Sequence, residues 1–149
     1  HSDPITNYGH NNQSMGHQWG GNAKEFIIIA RYHKGRYFAD AKITTGTRGL
    51  DFNTTEDSYN YGGNIYKDYD ENRPFDSGVK VGQGNKTAVF ITDLQVGYLI
   101  NPATNLKFFG SYIYRNFDPS QNTATTFNQS TNWFTIGLRA DIFNWYFDY

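Results

Sequence analysis

From Phe134 to Ile142 the chain places an apolar residue at every second position: Phe134, Ile136, Leu138, Ala140 and Ile142. The residues between them are Thr135, Gly137, Arg139 and Asp141. Side chains of an extended strand point to alternate sides, so a period of two means one apolar and one polar face. In a soluble sheet the apolar face would meet a core. This segment instead sets an arginine and an aspartate two residues apart on its other face. It then runs into Asn144-Trp145-Tyr146-Phe147-Asp148-Tyr149. An apolar outer face, a charged inner face and aromatics at one end describe a strand of an outer-membrane β-barrel. The expected fold is all-β, an antiparallel transmembrane barrel.

Four earlier segments repeat the pattern. Over 24–33, Phe26, Ile28, Ala30 and Tyr32 oppose Glu25, Ile27, Ile29, Arg31 and His33, the second set mixing apolar and charged groups. Over about 36–46, Tyr37, Ala39, Ala41, Ile43 and Thr45 oppose Arg36, Phe38, Asp40, Lys42 and Thr44. A third strand over about 88–100 sets Ala88, Phe90, Thr92, Leu94, Val96, Tyr98 and Ile100 outward. A fourth, about 106–115, sets Leu106, Phe108, Gly110, Tyr112 and Tyr114 outward and Lys107, Phe109, Ser111, Ile113 and Arg115 inward. His33-Lys34-Gly35-Arg36 reads as a tight turn with a glycine for positive φ, and Asn101-Pro102-Ala103-Thr104-Asn105 as a second short turn.

The connections make a separate argument. Long polar stretches at 1–23, 47–87 and 116–130 alternate with short turns at 33–36 and 101–105. A structureless stretch of about forty residues is rare in a compact soluble domain. It is ordinary outside a barrel, where extracellular loops are long and periplasmic turns short. Strands of about ten residues suffice to cross a bilayer when tilted. The expectation is therefore long loops outside the cell and a periplasmic C-terminus, with Trp145, Phe147 and Tyr149 as a C-terminal assembly signal read by the barrel assembly machinery. Five strands cannot close a barrel, and an open edge in hydrocarbon is prohibitive. The chain, which opens at His1 with no signal peptide visible, is expected to be the C-terminal segment of a larger barrel domain.

Composition agrees where it speaks. The 149 residues carry a net charge of -1, which offers no bulk attraction to nucleic acid. Aromatic residues make up 18% of the chain, well suited to membrane interfaces or sugar-stacking surfaces. No run approaches a transmembrane helix, and the absence of cysteine excludes disulfides and thiolate metal sites.

No nucleophile–base pair, phosphate loop or metal motif is visible, so no catalytic or metal residues and no cofactor are expected, and no enzyme. His10 and His17 sit in a glycine- and amide-rich stretch, but no carboxylate lies at ligand spacing. That stretch reads as a loop whose Asn, Gln and His side chains satisfy one another. Asp40, Asp93 and Asp141 share the inner face with Arg31, Lys42, Lys107, Arg115 and Arg139. Paired carboxylates can do acid–base work. Interleaved with five cations, they read better as a charge network that lines or plugs a lumen. In the loops, Trp19, Tyr59, Tyr61, Tyr66 and Tyr69, with Arg73, are the candidates for binding a glycan or partner.

Several segments carry a family resemblance: His10-Asn11-Asn12-Gln13-Ser14-Met15-Gly16-His17, Phe38-Ala39-Asp40-Ala41-Lys42, Gly62-Gly63-Asn64-Ile65-Tyr66-Lys67-Asp68-Tyr69, Gln95 through Leu106, and Gly137 through Tyr146. They resemble the C-terminal third of the RemB-type gliding motility proteins, Bacteroidota outer-membrane proteins similar to the Wzi-type capsule assembly barrels. The resemblance covers nearly the whole chain. It implies a barrel of about eighteen strands and a role in holding or displaying surface polysaccharide. It also implies association with motility and type IX secretion proteins of the outer membrane. A porin-like diffusion channel and a soluble all-β sugar-binding module are the competing readings.

Overall fold

In the computed structural model residues 9–10, 13–68 and 72–140 are described. Two short strands, β1 (Gly9–His10) and β2 (Gln13–Ser14), pair with each other. The remaining five, β3 (Ala23–Lys34), β4 (Tyr37–Leu50), β5 (Asn85–Asn101), β6 (Leu106–Pro119) and β7 (Gln129–Arg139), form one antiparallel sheet in sequence order. The chain is all-β among the described residues. Each strand pairs with the next, so the sheet is a simple up-and-down meander.

Local chemistry sets the hairpins. Lys34 pairs with Tyr37, which leaves Gly35-Arg36 as a two-residue turn. Gly35 takes φ 61°, the left-handed conformation such a turn needs at its first central position. Pro102 to Asn105 joins β5 to β6, and the register slips by one residue between Leu99 and Asn101.

Register decides what the alternation means. Residues directly opposite each other in an antiparallel pair project to the same side. One row runs Ala30, Ala41, Leu94, Tyr112, Phe134; the next runs Arg31, Asp40, Gln95, Ser111, Thr135. All five apolar sets therefore share one face, and the polar sets share the other. A slip of one residue in any pair would have broken this.

The apolar face is bounded by two aromatic rows. Tyr37, Tyr98 and Phe108 lie in register at the short-turn end, with the Tyr37 and Tyr98 rings 5.0 Å apart. Phe26 and Phe90 stand in the row nearer the long loops, where Phe90 meets the Tyr114 ring at 6.2 Å. Phe90 and Tyr98 are eight residues apart, about 26 Å along the strand and about 20 Å along a normal tilted at about 40°. No charged residue of this face lies between the two rows. Its one strongly polar side chain there, Asn132, accepts a hydrogen bond from the Tyr112 hydroxyl at 2.7 Å. Among the described residues no second layer covers the face: Phe134, Ile136 and Leu138 are 76%, 77% and 66% exposed.

The strands reach further than the alternation implied. β4 and β5 have 14 and 17 residues, against about 10 needed to cross a bilayer. The stretches expected as loops at 47–87 and 116–130 shrink to 51–84 and 120–128. Thr47 to Leu50, Asn85 to Thr87 and Asn116 to Pro119 are paired, although their side chains show no apolar period. Their backbone is extended because their neighbours' is, and their polar side chains meet folded loops. Likewise the 1–23 stretch contains the β1–β2 pair.

Candidate functional site

The inner face divides into three tiers. At the short-turn end, Phe38, Gly97, Phe109 and Gly137 form one register row. A Cβ on Gly97 would stand 2.4 Å from the Phe38 ring, and one on Gly137 would stand 3.0 Å from the Phe109 ring. Each phenylalanine lies over the glycine of the next strand, and the bare backbone is what admits it. The Lys107 ammonium stands 5.8 Å from the Phe38 ring centroid, within cation–π range.

The middle tier holds the charges. Arg31, Asp40, Lys42, Asp93 and Gln95 line a trough of about 460 Å³. Lys42 lies opposite Asp93, and Arg31 Nε reaches Asp40 Oδ1 at 3.8 Å. With Arg31 exposed, such a pair is worth under about 1 kcal/mol. The structure thus brings together four of the eight expected lumen charges. Lys107 and Arg139 share the inner face with them and lie opposite each other nearer the short turns. Arg115 is nearer the long loops and shares a cavity wall with Ile113, Thr131 and Trp133. Asp141 lies outside the described residues, as do Trp145, Phe147 and Tyr149.

The third tier is built by the loops, and here polar groups are buried. Segment 16–20 folds over the inner face at the ends of β3 and β4. His17 contacts the Glu25 carboxylate, and the His17 and Trp19 rings meet edge to face at 5.6 Å. Trp19 rests on Gly46, where a Cβ would come within 2.7 Å of its ring. Asn22, at φ 52°, ties the tier together. Its Nδ2 lies among the carbonyls of Gly49 (3.1 Å), Tyr61 (2.8 Å) and Gln83 (3.0 Å), and its Oδ1 accepts the Gly82 N–H at 2.7 Å. Asn85, wholly buried, donates to the Gln121 carbonyl at 2.8 Å and accepts from Ser120 Oγ and the Gln121 N–H. Asp51, also buried, accepts the Tyr61 N–H at 2.8 Å and the Lys67 ammonium at 2.7 Å. Buried amides and carboxylates are tolerable when bonded this fully. Three loops and two strand ends become one layer.

Three cavities open in this layer, one of them beside Asp51 and Lys67, and the other two separate the expected loop residues into two groups. The first, about 240 Å³, lies between Tyr61, Arg73, Pro74, Phe75 and Val79, with Asn60, Asp76 and Gln83 as polar neighbours. Tyr59 and Phe52 pack edge to face on Tyr61, and Arg73 Nη2 meets Asp76 Oδ1 at 3.2 Å. The Tyr61 hydroxyl donates to Asp57 Oδ2 at 2.9 Å. Burial, then that carboxylate, pushes its pKa up to about 12. The second cavity, also about 240 Å³, is lined by Trp19, Arg48 and Tyr66. Trp19 is only 6% exposed, which removes it as an open stacking platform. Tyr69 lies outside the described residues.

Sequence reasoning missed Asn22, Asp51, Asn60 and Asn85 as the residues that fix this tier, and Phe75 as a cavity wall. Their only signal was an abundance of amides in the loops, which does not say which amide is central. Among the described residues no group of three or more His, Asp or Glu could hold a metal ion. Comparison with known proteins gave no matching family model, curated protein or solved structure.

Proposed function

We propose that this chain supplies five strands of a non-enzymatic outer-membrane β-barrel whose long loops hold or display surface polysaccharide outside the cell. The observation that carries the reading is the register. It gathers five apolar strand faces onto one side, with no charge between two aromatic rows about 20 Å apart, close to the ~25 Å apolar band of such barrels. In this reading outer-membrane lipid covers the apolar face, earlier strands of a longer chain close the sheet, and the chain's end is periplasmic. The aromatic and proline wall at Tyr61, Pro74 and Phe75, beside the carboxamides of Asn60 and Gln83, has the chemistry of a sugar site: flat apolar surface for a ring and amides for hydroxyls. The resemblance to RemB-type and Wzi-type proteins supports polysaccharide attachment, or a part in gliding motility and type IX secretion.

The charged trough favours a second reading, a diffusion channel. Against it stands the loop tier, which folds over the inner face and would narrow the lumen. Planar-bilayer recordings distinguish the two: a displayed, plugged barrel stays closed, and steady conductance steps favour the channel.

Cysteine labelling tests the membrane reading. With the full-length protein in outer membranes, Ile136→Cys is expected to resist a water-soluble maleimide and react with a lipid-soluble one. Thr135→Cys, on the inner face, is expected to do the reverse if water fills the lumen, and to resist both if it is sealed. Free reaction of Ile136→Cys with the water-soluble reagent, in protein found in the aqueous fraction, would replace the barrel with a soluble sugar-binding module.

A further inference from the structure

Three buried side-chain atoms among the described residues have no hydrogen-bond partner: Thr47 Oγ1, Arg48 Nε and the Tyr66 hydroxyl. Two of the three, Arg48 and Tyr66, line the same cavity. An orphaned buried donor gives up its bond to water with nothing in exchange, at greater cost when charged, so two such donors lining one cavity are unlike the rest of this tightly bonded layer. No carboxylate of the described residues pairs with Arg48; the ion pairs His17–Glu25, Lys67–Asp51 and Arg73–Asp76 lie elsewhere in the layer. The cation is set in place by its strand: Arg48 is two residues from the end of β4, directly opposite the fully buried Thr87. Its guanidinium is half-buried and partly desolvated there.

The remaining walls add uncharged donors. Asn64 Oδ1 is used by the Tyr66 N–H at 2.9 Å, which leaves the Asn64 amide nitrogen to donate. Gln18, exposed, stands at the rim, and Trp19 closes the floor beside Gly46. At about 240 Å³ the space equals about eight waters, the bulk of one sugar ring.

We propose that this cavity binds the carboxylate-bearing ring of an acidic sugar, a uronate, within the polysaccharide that the loops display. The planar edge of Arg48 matches a carboxylate, and a charge-assisted bond to a half-buried guanidinium is stronger than one between neutral groups. The Tyr66 hydroxyl donates to the second carboxylate oxygen or to a ring hydroxyl, and Asn64 and Gln18 serve the remaining hydroxyls. Both orphaned donors acquire partners when the sugar is seated. The proposal rests on the polysaccharide-display reading and names the sugar class it selects.

Isothermal titration of the full-length protein in detergent tests it, with glucuronate, glucose and inorganic phosphate as probes. Saturable glucuronate binding is expected, weakened by salt, with glucose and phosphate each binding at least about tenfold more weakly. Arg48→Gln is expected to weaken glucuronate about tenfold or more, and Tyr66→Phe about three- to tenfold. Lys24→Gln, which removes an exposed charge away from the cavity, should leave it unchanged. Tyr66→Phe deletes a single oxygen, so it carries the test if Arg48→Gln fails to fold. Phosphate binding as tightly as glucuronate would make this a simple anion site and overturn the sugar assignment. No saturable glucuronate binding, or binding indifferent to both cavity substitutions, would overturn the site itself. Either failure leaves the Ile136→Cys labelling result untouched, so the cavity and the membrane reading fall separately.

Discussion

The middle of the sheet and the loop tier solve opposite problems. In the sheet, apolar side chains stand outward with nothing from the described residues above them, and charges stand inward. In the loop tier the two wholly hidden side chains, Asn85 and Thr87, are polar, and Asp51 and Asn60 are buried about as deeply as Trp19. A water-soluble domain would be arranged the other way round, because burial of apolar area is its main driving force. In the proposed barrel the difference follows from solvent: the sheet's apolar face meets lipid, and the loops meet water. The sheet is held by strand pairing, and its apolar face is left uncovered by the described residues. The loops are held by a closed set of hydrogen bonds among amides, carboxylates and backbone carbonyls.

The largest effect that would break this comparison is a charge on the outer face. Under the proposed barrel reading, Ile136→Arg is expected to destabilise the protein in lipid by about 2–4 kcal/mol, against well under about 1 kcal/mol for Ser111→Arg on the opposite face. Urea unfolding in liposomes measures both, and equal costs would mean that the two faces meet the same medium.

A smaller and more local effect is expected in the loops. Asn22→Gly keeps the left-handed backbone at φ 52° without strain and deletes only the amide. It leaves the Gly82 N–H and three carbonyls short of a partner, a cost of about 1–3 kcal/mol. Hydrogen exchange should speed up around Gly49, Tyr61 and Gly82 and remain slow across β5 and β6. Exchange that quickens throughout the sheet would show that the two regions fold as one unit.

The smallest effect is one of pH. The folded loops hold the Tyr61 proton up to about 12, against an ordinary value of 10. Between those values the folded state binds more protons than the unfolded one, so stability falls as pH rises through that window and is complete below it. Loop stability in Tyr61→Phe should lack this component while matching the parent protein's dependence elsewhere. An identical alkaline profile in the two proteins would place the Tyr61 hydroxyl in water rather than against Asp57.

The partition of side chains between faces was legible in the sequence, and so was the Gly35-Arg36 turn. Alternation is a property of each strand's own backbone, so Phe134, Ile136 and Leu138 announce their shared side with no knowledge of any partner. The inward placement of Arg31, Asp40, Lys42 and Asp93 followed from the same rule. What only the tertiary structure decided is the register that aligned five faces and the loop tier above them. Asn22 meets partners 27, 39 and 61 positions away in the chain. A hydrogen-bonding amide has no period, and nothing local distinguishes the asparagine at the centre of a network from one in water. Arg48 lost part of its solvent, and Trp19 nearly all of its exposure, for the same reason: distant loops closed over them.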